Sequence, residues 1–270
     1  MRNIVTTKII LDYEDNHKKL NKEQRLIDAL ARLLGFGDCA AVAIVNDNKF
    51  PKLVIATNST SAQDSKSEIV SERRKLIDMV LKHLQAHVKS NLENQNNIEI
   101  INSIFSKTNI NKHYSTRSKE HEELLQYIST IPLESLSETD KDFYYSPHPE
   151  ILKKKYGNSF AKLKTYLSNN KDSVLAEAIK NYKKSDLIRE EKADKIHAES
   201  QVVSHILKSK DEKHKYEAGD YYVGVSKLCC VDCKFFIDAS SEYSDVPFNF
   251  SFRGTHGLKF SNWKMPNYDD

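Results

Sequence analysis

Ile196-His-Ala-Glu-Ser-Gln-Val-Val-Ser-His-Ile-Leu-Lys208 is followed by Tyr221-Tyr-Val-Gly-Val-Ser226 and then by Cys229-Cys-Val-Asp-Cys233. The first piece sets Ile196, Ala198, Val202, Val203, Ile206 and Leu207 at the three- and four-residue intervals of a helix with one buried face. The second has the residue types and length of a strand, and 230–238 begins another helix. Residues 247–252 then alternate as a strand does. Helix, strand, helix, strand in so short a space is the rhythm of an α/β core.

Working outward, residues 18–36 carry Leu20, Leu26, Ile27, Ala29, Leu30, Leu33 and Leu34 at helical spacing, and Gly35 and Gly37 end the pattern. Cys39-Ala-Ala-Val-Ala-Ile-Val45 has the length of a buried strand. Asn46-Asp-Asn48 supplies a turn, and Lys52-Leu-Val-Ile-Ala-Thr57 reads as a second strand with Asn58 just beyond it. Residues 59–195 change character. Periodicity over 67–88 puts Leu76, Ile77, Val80, Leu81 and Leu84 on one side of a helix, shorter helical pieces fall at 120–128, 159–167 and 174–182, and Pro132, Pro147 and Pro149 are read in loops. The lysine-rich run 153–166 reads as a solvated helix face with Tyr156 and Phe160 turned inward, ahead of a second reading in which its charge and aromatics hold a phosphate backbone. The aromatics Phe143, Tyr144 and Tyr145 read as core.

The whole order predicts an α/β fold, a three-layer α/β/α sandwich with a large helical insertion. Residues 1–58 give the N-terminal helix and hairpin of the core, 59–195 the insertion, and 196–270 the rest of the core. Its place between the second strand and the helix at 196 makes the insertion a candidate lid or substrate-selecting wall.

Of 270 residues, 39% are hydrophobic and 29% charged, which suits a globular chain with a sizeable core. No apolar run approaches the ~20 residues needed to cross a bilayer, and Ile9, Ile10 and Leu11 do not make a signal-peptide core. A cytoplasmic working place without a membrane partner is the expectation, with delivery into a host or target cell left open. A net charge of +3 does not choose a substrate. Three of the four cysteines, Cys229, Cys230 and Cys233, sit within five residues, which fits metal binding or thiol chemistry better than a disulfide scaffold.

His197-Ala-Glu199 is a weak signal alone, since ten histidines and 38 acidic residues would yield about one such triplet by chance. His121-Glu-Glu123 and His148-Pro-Glu150 are two more. Context separates His197: it opens a helix with a buried face, and a strand then leads into Cys230-Val-Asp-Cys233. Two converging helix N-termini can offer an imidazole and two thiolates to zinc and leave a fourth tetrahedral position open, the pattern of a catalytic site. Zinc lowers the pKa of bound water to roughly 7, and Glu199 stands where it can take and return that proton.

These residues resemble the zinc-dependent cytidine-deaminase-like superfamily, which joins a His-x-Glu to a Cys-x-x-Cys. The longer string Val223-Gly-Val-Ser-Lys-Leu-Cys-Cys-Val-Asp-Cys233, with Arg253-Gly-Thr-His-Gly257 and Trp263 to Pro266, resembles one branch in particular. That branch comprises nucleic acid/nucleotide deaminases of intracellular bacteria and fungi, close to the polymorphic-toxin deaminases. The likeness covers 196–270 and, loosely, the hairpin. It implies zinc on His197, Cys230 and Cys233, proton transfer by Glu199, a backbone amide offered to the base by Ala198, and a sugar contact from Asn58. His256 has a place near the pocket or in a simple turn. Cys229 stands where that superfamily has proline, and this raises the question of an alternative thiol ligand.

The expected function is hydrolytic deamination of a nucleobase, cytosine-type first, in a nucleotide or in single-stranded nucleic acid, with a toxin or effector role open. Other readings stand beside it: a zinc hydrolase acting on another small ring or an amide, a non-catalytic zinc-containing module, a redox Cys-x-x-Cys, and a structural zinc whose fourth ligand is Cys229, His205 or His256.

Overall fold

The apolar alternation of 39–57 resolves into an antiparallel hairpin in the computed structural model. Strands β1 (Ala40–Asp47) and β2 (Phe50–Thr57) run in register from Ala40 opposite Thr57 to Asp47 opposite Phe50. The structure describes residues 20–35, 39–47, 50–58, 68–90, 149–188, 196–208, 216–242, 248–255, 259 and 263–266. Within them β1 also pairs antiparallel with β3 (Gly219–Val225), and β3 pairs parallel with β4 (Phe248–Phe252), giving the order β2-β1-β3-β4.

Side chains alternate across this sheet. Ala41, Ala43, Val45, Val54, Ala56, Tyr221, Val223, Val225, Phe248 and Phe250 turn to one face. There they meet Val202, Val203, Ile206 and Leu207 of one helix and Phe236 and Ile237 of another. Those helices lie at Ala198–Lys208 and Val231–Glu242. The opposite face of β1 and β3 is covered by α1 (Lys22–Gly35), which buries Leu26, Ile27, Leu30, Leu33 and Leu34. Gly224 permits this approach: a Cβ there would lie 2.5 Å from Ile27 Cγ2 and 2.8 Å from the Ile27 carbonyl carbon. Helices on both faces of one sheet make the three-layer α/β/α sandwich.

α1 also brings a buried acid to the sheet. Asp28 Oδ1 accepts the Val225 N–H and Oδ2 accepts the Tyr222 hydroxyl, both at 3.0 Å. Burial raises the Asp28 carboxyl above its ordinary range, against the lowering influence of Arg253 and Arg32, and pushes the Tyr222 phenol up as well.

The chain divides into two compact units, residues 1–93 with 162–270, and residues 94–161. The first unit includes much of the stretch read as an insertion. Within it α2 (Glu68–Ser90) packs on α4 (Val174–Lys180), and α4 packs on β2. Of the second unit the described part is 149–161, the start of α3 (Pro149–Asn169). Pro149, expected in a loop, is instead the first residue of α3, a position whose N–H has no helical partner in any case. Phe160 is buried, whereas the side chain of Tyr156 falls outside the description. The helix expected at 120–128, Pro132, Pro147 and the aromatics at 143–145 also lie outside the described residues. Among the described residues no helix is long and apolar enough to cross a membrane.

Candidate metal centre

Two helices begin at the same place on the sheet, and each offers its capping residue. The His197 carbonyl accepts the Gln201 N–H at 3.0 Å, so His197 caps α5 (Ala198–Lys208). The Cys230 carbonyl does the same for Lys234 at 3.0 Å, and the Cys230 sulfur accepts the Cys233 N–H at 3.4 Å, so Cys230 caps α6 (Val231–Glu242). Cys233 follows in the first turn, on the same side as its cap. The end of β2 anchors α5. Asn58 Oδ1 accepts the Ala198 N–H at 2.5 Å, and Gln201 Nε2 donates to the carbonyls of Ile196 at 2.9 Å and Thr57 at 3.4 Å.

His197 Nδ1 lies 3.4 Å from Cys230 Sγ and 3.3 Å from Cys233 Sγ, and the three ligand atoms all fall within 4.8 Å of one another. A tetrahedral zinc with bonds of about 2.3 Å to sulfur and 2.0–2.1 Å to nitrogen would set its sulfur and nitrogen ligands roughly 3.5 Å apart. The donor set and its spacing therefore fit one ion bound by one nitrogen and two sulfurs. Among the described residues this is the group of His, Cys, Asp and Glu so disposed; Cys229 and His205 do not join it. Exposed His205 faces the Tyr216 hydroxyl at 3.4 Å, and His256 lies outside the described residues.

Cys229 has a strand's role. Its N–H donates to the Gly254 carbonyl at 3.1 Å and its own carbonyl accepts the Thr255 hydroxyl at 2.7 Å, a bridge beyond the end of β4. Proline here would lack that N–H. Burial pushes the Cys229 thiol well above its usual range.

Glu199 is almost fully buried beside this group. Its Oε1 is 4.0 Å from His197 Nδ1, and its Oε2 accepts the Cys39 thiol at 3.8 Å. For Cys230, the hydrogen bond from the Cys233 thiol leads, with His197 and the Cys233 amide adding to it. Together they hold the thiol down at about 6 against the burial that would raise it. Burial pushes Cys233 the other way. The largest influence on His197 is burial, which lowers it, but the Cys230 sulfur, Glu199 and Asp232 together lift it above its ordinary value.

The residues expected from the motif thus meet at one point: His197, Glu199, Cys230 and Cys233. Asn58 and Ala198 are there too, bonded to each other. Sequence reading missed the partners. Cys39, 160 residues before Glu199, had no spacing rule to connect it, although it precedes the first strand of the core. Ser200 and Trp263 both donate to Cys233 Sγ at 3.2 Å, and only their places in the motif strings marked them.

Residues 196–267 match a family described as OTT_1508_deam-like deaminase. This stretch holds all three ligand candidates and Glu199. No curated protein and no solved structure matches the chain. The match and the His197/Cys230/Cys233 group together support a deaminase of the cytidine-deaminase-like kind with a possible metal site.

Proposed function

We propose that this chain is a zinc-dependent hydrolytic deaminase that acts on a nucleobase, cytosine-type first, in a nucleotide or in single-stranded nucleic acid. The observation that carries the reading is the meeting of His197 Nδ1, Cys230 Sγ and Cys233 Sγ within 4.8 Å, with the buried Glu199 carboxylate 4.0 Å from the imidazole. Zinc held by His197, Cys230 and Cys233 would supply a Lewis acid able to lower the pKa of water to roughly 7.

The rest falls to the chain's own groups. His197 caps α5, and its Nδ1 lies 4.0 Å from a carboxylate oxygen of Glu199, which sits in the first turn of the same helix. Glu199 takes a proton from the attacking water at a carboxylate oxygen and delivers it to the ring nitrogen next to the amine-bearing carbon. A second transfer through Glu199 goes to the departing amino group. A C–O bond forms, the C–N bond breaks, ammonia leaves, and the base ends as the carbonyl compound with no change of oxidation state. A base within a polynucleotide reaches such a buried carboxylate only when it is unpaired or flipped out.

The test is ammonia release from cytosine, adenine and guanine substrates, free and polymeric, run beside metal analysis of the same preparation. About one zinc per chain and ammonia from the cytosine set, abolished by Glu199→Gln, is the expected result. Stoichiometric zinc without ammonia from any base would overturn the nucleobase reading, and release undiminished in Glu199→Gln would overturn the proton-transfer role.

A further inference from the structure

Cys230 and Cys233 are not equivalent. The Cys230 sulfur accepts a backbone N–H, that of Cys233, at 3.4 Å. The Cys233 sulfur accepts two side-chain donors, the Ser200 hydroxyl at 3.2 Å and the Trp263 indole N–H at 3.2 Å, and lies 3.3 Å from His197 Nδ1. The donors come from separate parts of the chain: Ser200 from α5, immediately after Glu199, and Trp263 from the segment beyond β4. Ser200 and Cys233 are both fully buried.

We infer that Ser200 and Trp263 are positioning residues of the metal centre, and that their two hydrogen bonds hold the Cys233 sulfur in its ligand position and draw charge from it. The inference rests on the metal reading above and deepens it. A buried thiolate has no water to stabilise it, so protein donors must do so, and bonds to an ionised acceptor are roughly twice as strong as neutral ones. Density given to O–H and N–H is withheld from the metal, which keeps more of its Lewis acidity for the open position. Geometry is served as well. Ser200 ties the first turn of α6 to the first turn of α5, the two turns that carry the ligands, and Trp263 approaches the same sulfur from elsewhere in the chain.

The experiment compares Ser200→Ala, Ser200→Thr and Trp263→Phe with the wild type in the full chain. Zinc affinity is measured by chelator competition, and the sulfur-to-metal charge-transfer band is recorded after cobalt(II) substitution. Removing one donor should weaken zinc about 10- to 100-fold and move the band to longer wavelength, because the sulfur becomes richer in charge. Ser200→Thr, which keeps the hydroxyl, should restore both values. Trp263 is the chain's sole tryptophan, so wild-type emission should change on zinc titration and stop changing at one equivalent. If Trp263→Phe fails to fold by circular dichroism, the Ser200 pair decides. A wild type that binds zinc, with Ser200→Ala matching it in affinity and band position, overturns the inference. A folded wild type that takes up no metal sinks the metal reading itself, and that is seen before any variant is compared.

Discussion

The helices on the two faces of the sheet each carry a buried carboxylate, and the protein treats the two in opposite ways. On one face Asp28 of α1 is claimed by the chain: one oxygen takes the Val225 N–H and the other the Tyr222 hydroxyl, each at 3.0 Å, with Arg32 and Arg253 nearby. On the other face Glu199 of α5 has long contacts, 3.8 Å to the Cys39 thiol and 4.0 Å to His197 Nδ1, and stands beside three converging ligand atoms. Burial is equal at about 1% exposure, so depth in the core does not tell the two apart. Partners do. An acid bonded to backbone and phenol is scaffold, whereas an acid with only long contacts beside a His/Cys/Cys group is the one to which the proposed proton transfer is assigned.

Substitution should expose this contrast. Glu199→Ala is expected to lower turnover by roughly 10²- to 10⁴-fold while zinc content and melting temperature stay near wild type; a variant that loses zinc or unfolds would erase the distinction between the faces. Asp28→Ala should do the reverse. It leaves the Val225 N–H and the Tyr222 hydroxyl without their acceptor, at a cost of roughly 3 kcal/mol by denaturant unfolding, while the folded fraction still binds one zinc.

The Asp28 face should also show in the pH dependence of stability. Burial raises the folded-state pKa of Asp28 above its ordinary value of 3.8, so the folded chain holds this proton more tightly than the unfolded one. Stability from this group is then fully present below 3.8, falls as pH climbs through the raised value, and levels off above it. The wild-type curve minus that of Asp28→Asn should carry that descending segment; a flat difference would mean that the carboxyl is not penalised by burial. Smallest is the effect at the tie between the end of β2 and α5. Asn58→Ala removes the acceptor from the Ala198 N–H and should cost about 1 kcal/mol, as loss of a helix cap does, and a cost near zero would show that this bond does not hold α5 in place.

Much of the core was legible because its elements are strongly periodic. The helix read at 18–36 is α1, the hairpin strands read at 39–45 and 52–57 are β1 and β2, and the helices and strands from 196 onward fall within a few residues of expectation. What periodicity reports is that a face is buried, not what buries it. α2 and α4, which fall in the stretch read as an insertion, belong to the unit that holds the sheet. β3 pairs parallel with β4 across the helical crossover α6, in keeping with the strand-helix-strand order of the sequence, although that order does not fix the register.

At the site the converging residues His197, Cys230 and Cys233 were legible because a His and a Cys-x-x-Cys at two helix starts form a short-range pattern. The supports were not. Cys39, Ser200 and Trp263 reach Glu199 and Cys233 from positions that no spacing rule links to them, and nothing in the helical periodicity of 18–36 singled out Asp28.

X-ray absorption at the zinc edge of the purified chain addresses the central claim most directly. One nitrogen at about 2.0–2.1 Å, two sulfurs at about 2.3 Å and one further light atom are expected, with the sulfur shell reduced to one in Cys230→Ser. A folded, metal-free chain, or a zinc shell without sulfur, would contradict the account.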